Sequence, residues 1–83
     1  MTVTVKFFAS LRDVTGLEEM QHEFDGANLA DLIESLKKAL TREAFKEITA
    51  KNVKVALNQE LIDGSAAVSD GDEVAFLPPV TGG

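Results

Sequence analysis

The sequence predicts an α+β fold, in which a small mixed β-sheet packs on one main amphipathic helix. Two patterns predict it. Several short segments alternate apolar and polar residues, which is typical of half-buried strands, and one longer segment repeats leucine at helical spacing. A helix with one apolar stripe is suited to cover one face of such a sheet. With 83 residues and no cysteine, the chain has room for one domain with a single core and no disulfide.

The N-terminal third is predicted to form a hairpin of two strands. Residues 2–9 alternate, so one face carries Val3, Val5, Phe7 and Ala9. Phe8 is the apolar exception on the opposite, polar face. Residues 10–16 begin with Ser10, which can cap a helical turn, and end on a glycine, so a short turn or single helical turn is predicted. Residues 17–24 alternate again and are expected to form the second strand.

The main helix is predicted to begin after Asn28, which can act as its N-cap, while Asp31 favours the positive end of the helix dipole. The apolar stripe consists of Leu29, Leu32, Ile33, Leu36 and Leu40. Residues 41–52 hold few apolar anchors and are expected to form a second short helix or an ordered loop.

Three further strands are predicted after that segment. Residues 53–57 form one, with Asn58 and Gln59 in the following turn, and Leu61 with Ile62 a short one. Residues 69–72 are a turn, and residues 73–77 the last strand, with Val74 and Phe76 inward. The order strand, strand, helix, strand, short strand, strand favours a β-grasp, or ubiquitin-like, roll.

Composition argues against several classes of function. The net charge of −6 disfavours nucleic acid and anionic membranes as partners. No stretch approaches the roughly 20 apolar residues of a membrane span, and the first residues do not resemble a signal peptide, so a cytoplasmic protein is expected.

Catalytic and metal-binding patterns are missing as well. His22 is the only histidine and lies in a strand pattern, so a structural role is predicted for it. The serines have no histidine or lysine at a meaningful spacing; they are Ser10, Ser35, Ser65 and Ser69. The acidic residues near the last turn do not match a calcium loop, and no phosphate-binding glycine motif is present. An enzyme acting alone is therefore disfavoured, and no metal site is predicted.

The C-terminal segment is the feature most suggestive of function. Pro78 and Pro79 cannot donate to a sheet, so the folded domain is predicted to span residues 1–79 and an extended tail residues 80–83. The tail can reach about 13 Å, and we expect it to be poorly ordered before docking. The α-carboxyl of Gly83 has an ordinary pKa of about 3.5, so it is a weakly electrophilic anion at neutral pH. Chemistry there requires activation, most simply as a mixed anhydride with AMP, which sulfur or an amine then displaces.

Two motifs carry a family resemblance. GDEVAFLPPVTGG, residues 71–83, and VKFFASLRDVTG near the N-terminus closely resemble the small-subunit family of molybdopterin synthase, the MoaD family. The resemblance spans the full length and is strongest at both ends. Within it, Gly83 aligns with the residue that is modified and Gly82 with its neighbour, while Leu77 stands where an aromatic residue is frequent.

The resemblance implies a β-grasp sulfur carrier without a stably bound cofactor. An E1-like, MoeB-like enzyme consumes ATP to adenylate Gly83, and a persulfide donor converts the adenylate into a thiocarboxylate. The tail then enters the large subunit of molybdopterin synthase and delivers sulfur to precursor Z, and two transfers build the dithiolene of molybdopterin. In this family, carrier and large subunit form a dimer of heterodimers. The implied partner-binding residues are Phe8, Leu61, Leu77, Pro78, Pro79, Val80 and Thr81.

Other functions are left open by the residues. A carrier for thiamine, for a tungsten cofactor or for another thiolated product would share the activation step. A ubiquitin-like modifier would pass the activated glycine to a lysine amine rather than to sulfur. A binding module with inert terminal glycines is the remaining alternative, and it predicts that deletion of Gly82 and Gly83 changes nothing.

Overall fold

The computed structural model describes residues 1–63 and 66–79, which form one five-stranded mixed sheet with helices on one face. Strand order is β2-β1-β5-β3-β4, with β1 and β5 parallel at the centre and the other pairs antiparallel. This topology is the predicted α+β class. In chain order the elements are β1 (Thr2–Phe7), α1 (Ser10–Thr15), β2 (Glu19–Glu23), α2 (Leu29–Ala39), α3 (Arg42–Ile48), β3 (Lys54–Leu57), β4 (Glu60–Ile62) and β5 (Glu73–Leu77).

The core lies between the central strands and α2. Every second side chain of a strand points to the same face, and β1 and β5 direct Val3, Val5, Phe7, Val74 and Phe76 into the core. The Phe7 and Phe76 rings, which occupy paired positions, stack with centroids 6.0 Å apart. Leu29, Leu32 and Leu36 of α2 are buried against them, as the leucine stripe predicts. Val68, in the segment before β5, is also buried in this core, which the sequence pattern did not indicate.

The chain leaves the sheet earlier than the alternation predicts. β1 ends at Phe7, and Ala9 is exposed, so its predicted place on the core face is wrong. Ser10 is the first helical residue rather than the cap: Ala9 holds the N-cap position without a side-chain hydrogen bond. The helix α1 is six residues long and ends at Gly16, whose φ of +74° is a conformation that favours glycine.

A capping box fixes the start of α2. The Asn28 side chain accepts from the Asp31 N–H at 2.9 Å, and an Asp31 oxygen accepts from the Asn28 and Ala27 N–H groups. Gly26 permits this approach, because a Cβ at that position would lie 2.5 Å from the Asp31 Cβ. The predicted cap is confirmed, and Asp31 contributes hydrogen bonds in addition to its charge.

Asn28→Ala is expected to lower the free energy of unfolding by about 1 kcal/mol, since Ala cannot accept the Asp31 N–H. For a domain of this size that shifts the melting temperature by roughly 4–8 °C. Thermal unfolding followed by circular dichroism measures the shift, with Asn28→Ser as the control that retains a capping oxygen. Equal loss in both variants would contradict the assigned role of the cap.

Residues 41–52, for which the sequence allowed a second short helix or an ordered loop, contain the helix α3. Thr41 caps α3 through its side-chain oxygen, which accepts from the Ala44 N–H at 3.1 Å.

The β3–β4 hairpin turns at Asn58 and Gln59, whose φ values of 50° and 72° fit a tight hairpin turn. Asn58 also links this hairpin to β5, because its side-chain oxygen accepts from the Glu73 N–H at 2.9 Å.

No helix within residues 1–63 and 66–79 is long and apolar enough to cross a membrane.

Candidate functional site

An open apolar groove of about 710 Å³ lies beside the ends of β1 and β5. It contains all five described residues of the predicted docking set. Three further residues that sequence reasoning did not single out complete its lining. The groove is lined by Phe8, Ala9, Asn52, Lys54, Leu61, Leu77, Pro78 and Pro79.

The register of the sheet explains why distant residues meet here. Leu77 pairs with Lys54, and Leu61 pairs with Ala56, on the face of the sheet that turns away from α2. Ala56 and Ala75 pair with each other between these positions and are buried although they do not belong to the main core. Leu77 and Leu61 therefore lie on the same face of the sheet as these two alanines.

Two rim residues are strongly exposed. Leu61 retains 67% and Phe8 retains 43% of its accessible surface, and both are large apolar side chains. An isolated exposed apolar residue is ordinary, but a cluster of them that lines one groove is typical of a protein-docking surface. The groove therefore has the composition of an interface.

The position of Phe8 depends on an unusual backbone conformation. The Phe8 N–H donates to the Phe76 carbonyl at 3.2 Å, which keeps the residue beside the sheet after β1 has ended. Ala9 then adopts φ 50° and ψ −126°, a combination that is costly for a residue with a Cβ. This reversal sends the chain into α1 and leaves the Phe8 ring at the groove. No sequence pattern indicated it, because alanine gives no turn signal.

The C-terminal segment leaves the sheet at the groove. β5 ends at Leu77, as predicted from the two prolines, and Pro78 and Pro79 form part of the lining. The remaining predicted site residues, Val80, Thr81, Gly82 and Gly83, lie outside the described residues. The last described residues therefore lie at the groove.

Charge is sparse at the groove. Lys6 lies on the same face of the sheet and is paired with Glu73 at 3.2 Å. Lys54 is the charged residue among those that line the groove, and no ion pair to it occurs within the described part of the chain. The alternation of β3 indicates from the sequence that Lys54 points away from the core. Only the strand order shows that Leu77 lies beside it on that face of the sheet.

A contact between His22 and Ser35 corrects the prediction that the serines lack a histidine partner. His22 Nε2 lies 2.6 Å from Ser35 Oγ, because β2 packs against α2, so this serine does have a histidine nearby. The His22 ring also stacks on Phe24 at 6.3 Å, and burial lowers its pKa below the usual 6.5. Within the described residues no carboxylate hydrogen-bonds to the ring, so the pair lacks the orienting acid of a catalytic triad. A structural role for His22 remains the interpretation.

The acidic residues before β5 also have structural roles. Asp70 accepts from the Thr2 N–H at 2.7 Å, and Asp72 accepts from the Ser69 N–H at 2.8 Å. Residues 1–63 and 66–79 contain no cluster of three or more possible metal-ligating side chains. The Asp70 carboxylate links the turn to the start of β1, and the Asp72 carboxylate stabilises the turn itself.

Comparison with known proteins places the chain in a family. It matches the ThiS family over residues 5–83. A molybdopterin synthase sulfur carrier subunit from Haemophilus influenzae is 40% identical, over 98% of this chain and 99% of that protein.

Two solved structures share the fold over their full length. Small archaeal modifier protein 1 from Haloferax volcanii has a TM-score of 0.82 and 28% identity, with 100% of both chains covered. A chain in the complex of subunits 1 and 2 of molybdopterin-converting factor from Helicobacter pylori has a TM-score of 0.73 and 32% identity, again over 100% of both chains. These likenesses confirm the β-grasp prediction and the resemblance carried by the two sequence motifs. The chain belongs to the ThiS family.

Proposed function

We propose that this protein is the sulfur carrier subunit of molybdopterin synthase. The observation that carries the proposal is the position of the C-terminal segment: β5 ends at an apolar groove and two prolines lead the chain away from the sheet. A partner that covers the groove therefore lies next to the residues that follow. The identity of 40% to a molybdopterin synthase sulfur carrier subunit supports the same assignment.

The proposed reactive atom is the carbonyl carbon of Gly83. An E1-like activating enzyme transfers AMP from ATP to the α-carboxylate, which releases pyrophosphate and makes the carbon electrophilic. The terminal sulfur of a persulfide donor attacks that carbon and AMP leaves; a thiol then cleaves the sulfur–sulfur bond, so that the thiocarboxylate remains. Gly82 and Gly83 lack a Cβ, which permits close approach of a catalytic group in a narrow channel.

The proposed acceptor of the charged tail is the large subunit of molybdopterin synthase. Phe8, Leu61 and Leu77 dock on it, while residues 80–83 enter its active site and transfer sulfur to precursor Z. The carrier itself supplies sulfur and a docking surface, and the large subunit supplies the residues that bind the pterin. The tail must leave after each transfer, since two sulfur atoms are needed for one dithiolene.

Incubation with ATP, a MoeB-like activating enzyme and a persulfide donor is expected to place on Gly83 a thiocarboxylate, which reacts with thiol-alkylating reagents. Because the protein contains no cysteine, alkylation after this reaction reports the thiocarboxylate without interference from side-chain thiols. The tryptic peptide after Lys54 extends to Gly83 and contains no methionine, so sulfur-for-oxygen exchange in it cannot be mistaken for methionine oxidation. Peptide mass spectrometry measures the adduct.

A variant lacking Gly82 and Gly83 is the matched control and is expected to remain folded without forming the adduct. Formation of an adenylate but no thiocarboxylate would contradict a sulfur carrier. Failure to form even the adenylate would leave a binding module as the function.

A ubiquitin-like protein modifier is the second candidate. It is favoured by the TM-score of 0.82 to small archaeal modifier protein 1. Activation is shared by both functions, so the acceptor decides between them. Covalent joining of Gly83 to lysine amines after activation, detected as branched peptides, would identify the modifier.

A further inference from the structure

Lys54 introduces one positive charge into the docking groove. Apart from Asn52, the rest of the described lining is apolar. Lys54 is paired with Leu77 across β3 and β5, on the same face of the sheet. A partner surface that covers Leu77 must therefore also cover the aliphatic part of Lys54 and lie close to its ammonium group.

The charge of Lys54 is available to a partner. Lys6 is paired with Glu73 at 3.2 Å and Lys37 with Glu34 at 3.7 Å, whereas no acidic group of residues 1–63 and 66–79 pairs with Lys54. The whole protein carries a net charge of −6, so the charge of Lys54 is opposite in sign to the net charge of the protein. A complementary surface would combine apolar contacts with one local negative charge.

Docking makes the affinity of a partner depend on the charge that it places opposite Lys54. When a partner displaces water from the groove, an ammonium group without a counter-charge loses hydration and gains little in return. A partner carboxylate offsets that loss, whereas an apolar or basic group at the same position is penalised. We propose that Lys54 is a specificity-determining residue, and that it pairs with a carboxylate on the large subunit of molybdopterin synthase. The inference rests on the proposed function, which names that subunit as the occupant.

Binding of the full-length chain to the large subunit, measured by isothermal titration calorimetry, tests the pairing. Lys54→Met retains the aliphatic stem and leaves the partner carboxylate unpaired, so Kd is expected to rise about tenfold or more. Lys54→Glu places a new carboxylate beside the partner carboxylate and is expected to raise Kd about a hundredfold. Lys54→Arg keeps the positive charge, so its Kd is expected to stay within a few-fold of that of the unchanged chain. The loss in Lys54→Met should shrink as the salt concentration rises.

Lys46→Met is the matched control, because Lys46 is exposed on α3 and does not line the groove. It removes the same charge from the protein, so it reports any long-range effect of net charge, and its Kd is expected to be unchanged. Melting temperatures of all variants establish that each is folded, as expected for an exposed strand position.

The possible failures are distinguishable. If the unchanged chain binds the large subunit and Lys54→Met binds as tightly or more tightly, the pairing is overturned while the proposed function stands. The same conclusion follows if Lys46→Met loses as much affinity as Lys54→Met. If the unchanged chain does not bind the large subunit at all, the proposed function and the occupant named here are both overturned.

Discussion

Phe7→Ala is expected to destabilise the protein by about 3–5 kcal/mol, the cost of removing a fully buried aromatic ring. Phe7 retains 1% of its surface and stacks on Phe76 at the centre of the sheet. A domain of this size has a free energy of unfolding of roughly 5–15 kcal/mol, so a large share of the stability is at stake. Urea unfolding at 25 °C measures the change.

Phe8→Ala provides the matched control for the same chemical deletion. Phe8 is the next residue, yet its ring is 43% exposed at the groove, so the same truncation should cost little stability. Kd for the large subunit is instead expected to rise about thirtyfold, as for an exposed aromatic residue that becomes buried in an interface. Similar losses of stability in the two variants would contradict the assignment of these neighbours to opposite faces.

Leu77→Glu is expected to raise Kd for the large subunit a hundredfold or more without unfolding the protein. The substitution places a charge in the apolar lining, where docking would have to remove its water. Because Leu77 lies opposite Lys54, the new carboxylate can pair with that lysine in the free protein, so the folded state has a partner for the charge. Calorimetric titration measures binding, and thermal unfolding measures stability.

Leu17→Glu is the control for adding the same charge at a different apolar residue. Leu17 is 38% exposed and does not line the groove, so its binding should match that of the unchanged chain. A collapse of the melting temperature in Leu77→Glu would show that Leu77 belongs to the core. Equal loss of binding in both variants would indicate a general effect of charge rather than a docking site.

The sequence alone determined the architecture, because the elements that build it have strong local patterns. Alternation identified the core face of β1, Val74 and Phe76 were predicted to point inward from β5, and the leucine stripe with its capping residues identified α2. The prolines predicted the end of β5, since they cannot donate to the sheet. The motif at residues 71–83 indicated the family, which the match over residues 5–83 confirms.

The tertiary structure decided which surface residues act together. Lys54 and Leu77 are far apart in the sequence, and only the β3–β5 register makes them neighbours. The contact of His22 with Ser35 likewise exists because β2 packs against α2. Ala9 gave no local signal for its positive φ, which is imposed where the chain leaves the sheet. Local patterns specify which face of an element is buried, whereas the composition of an exposed groove depends on which elements become neighbours.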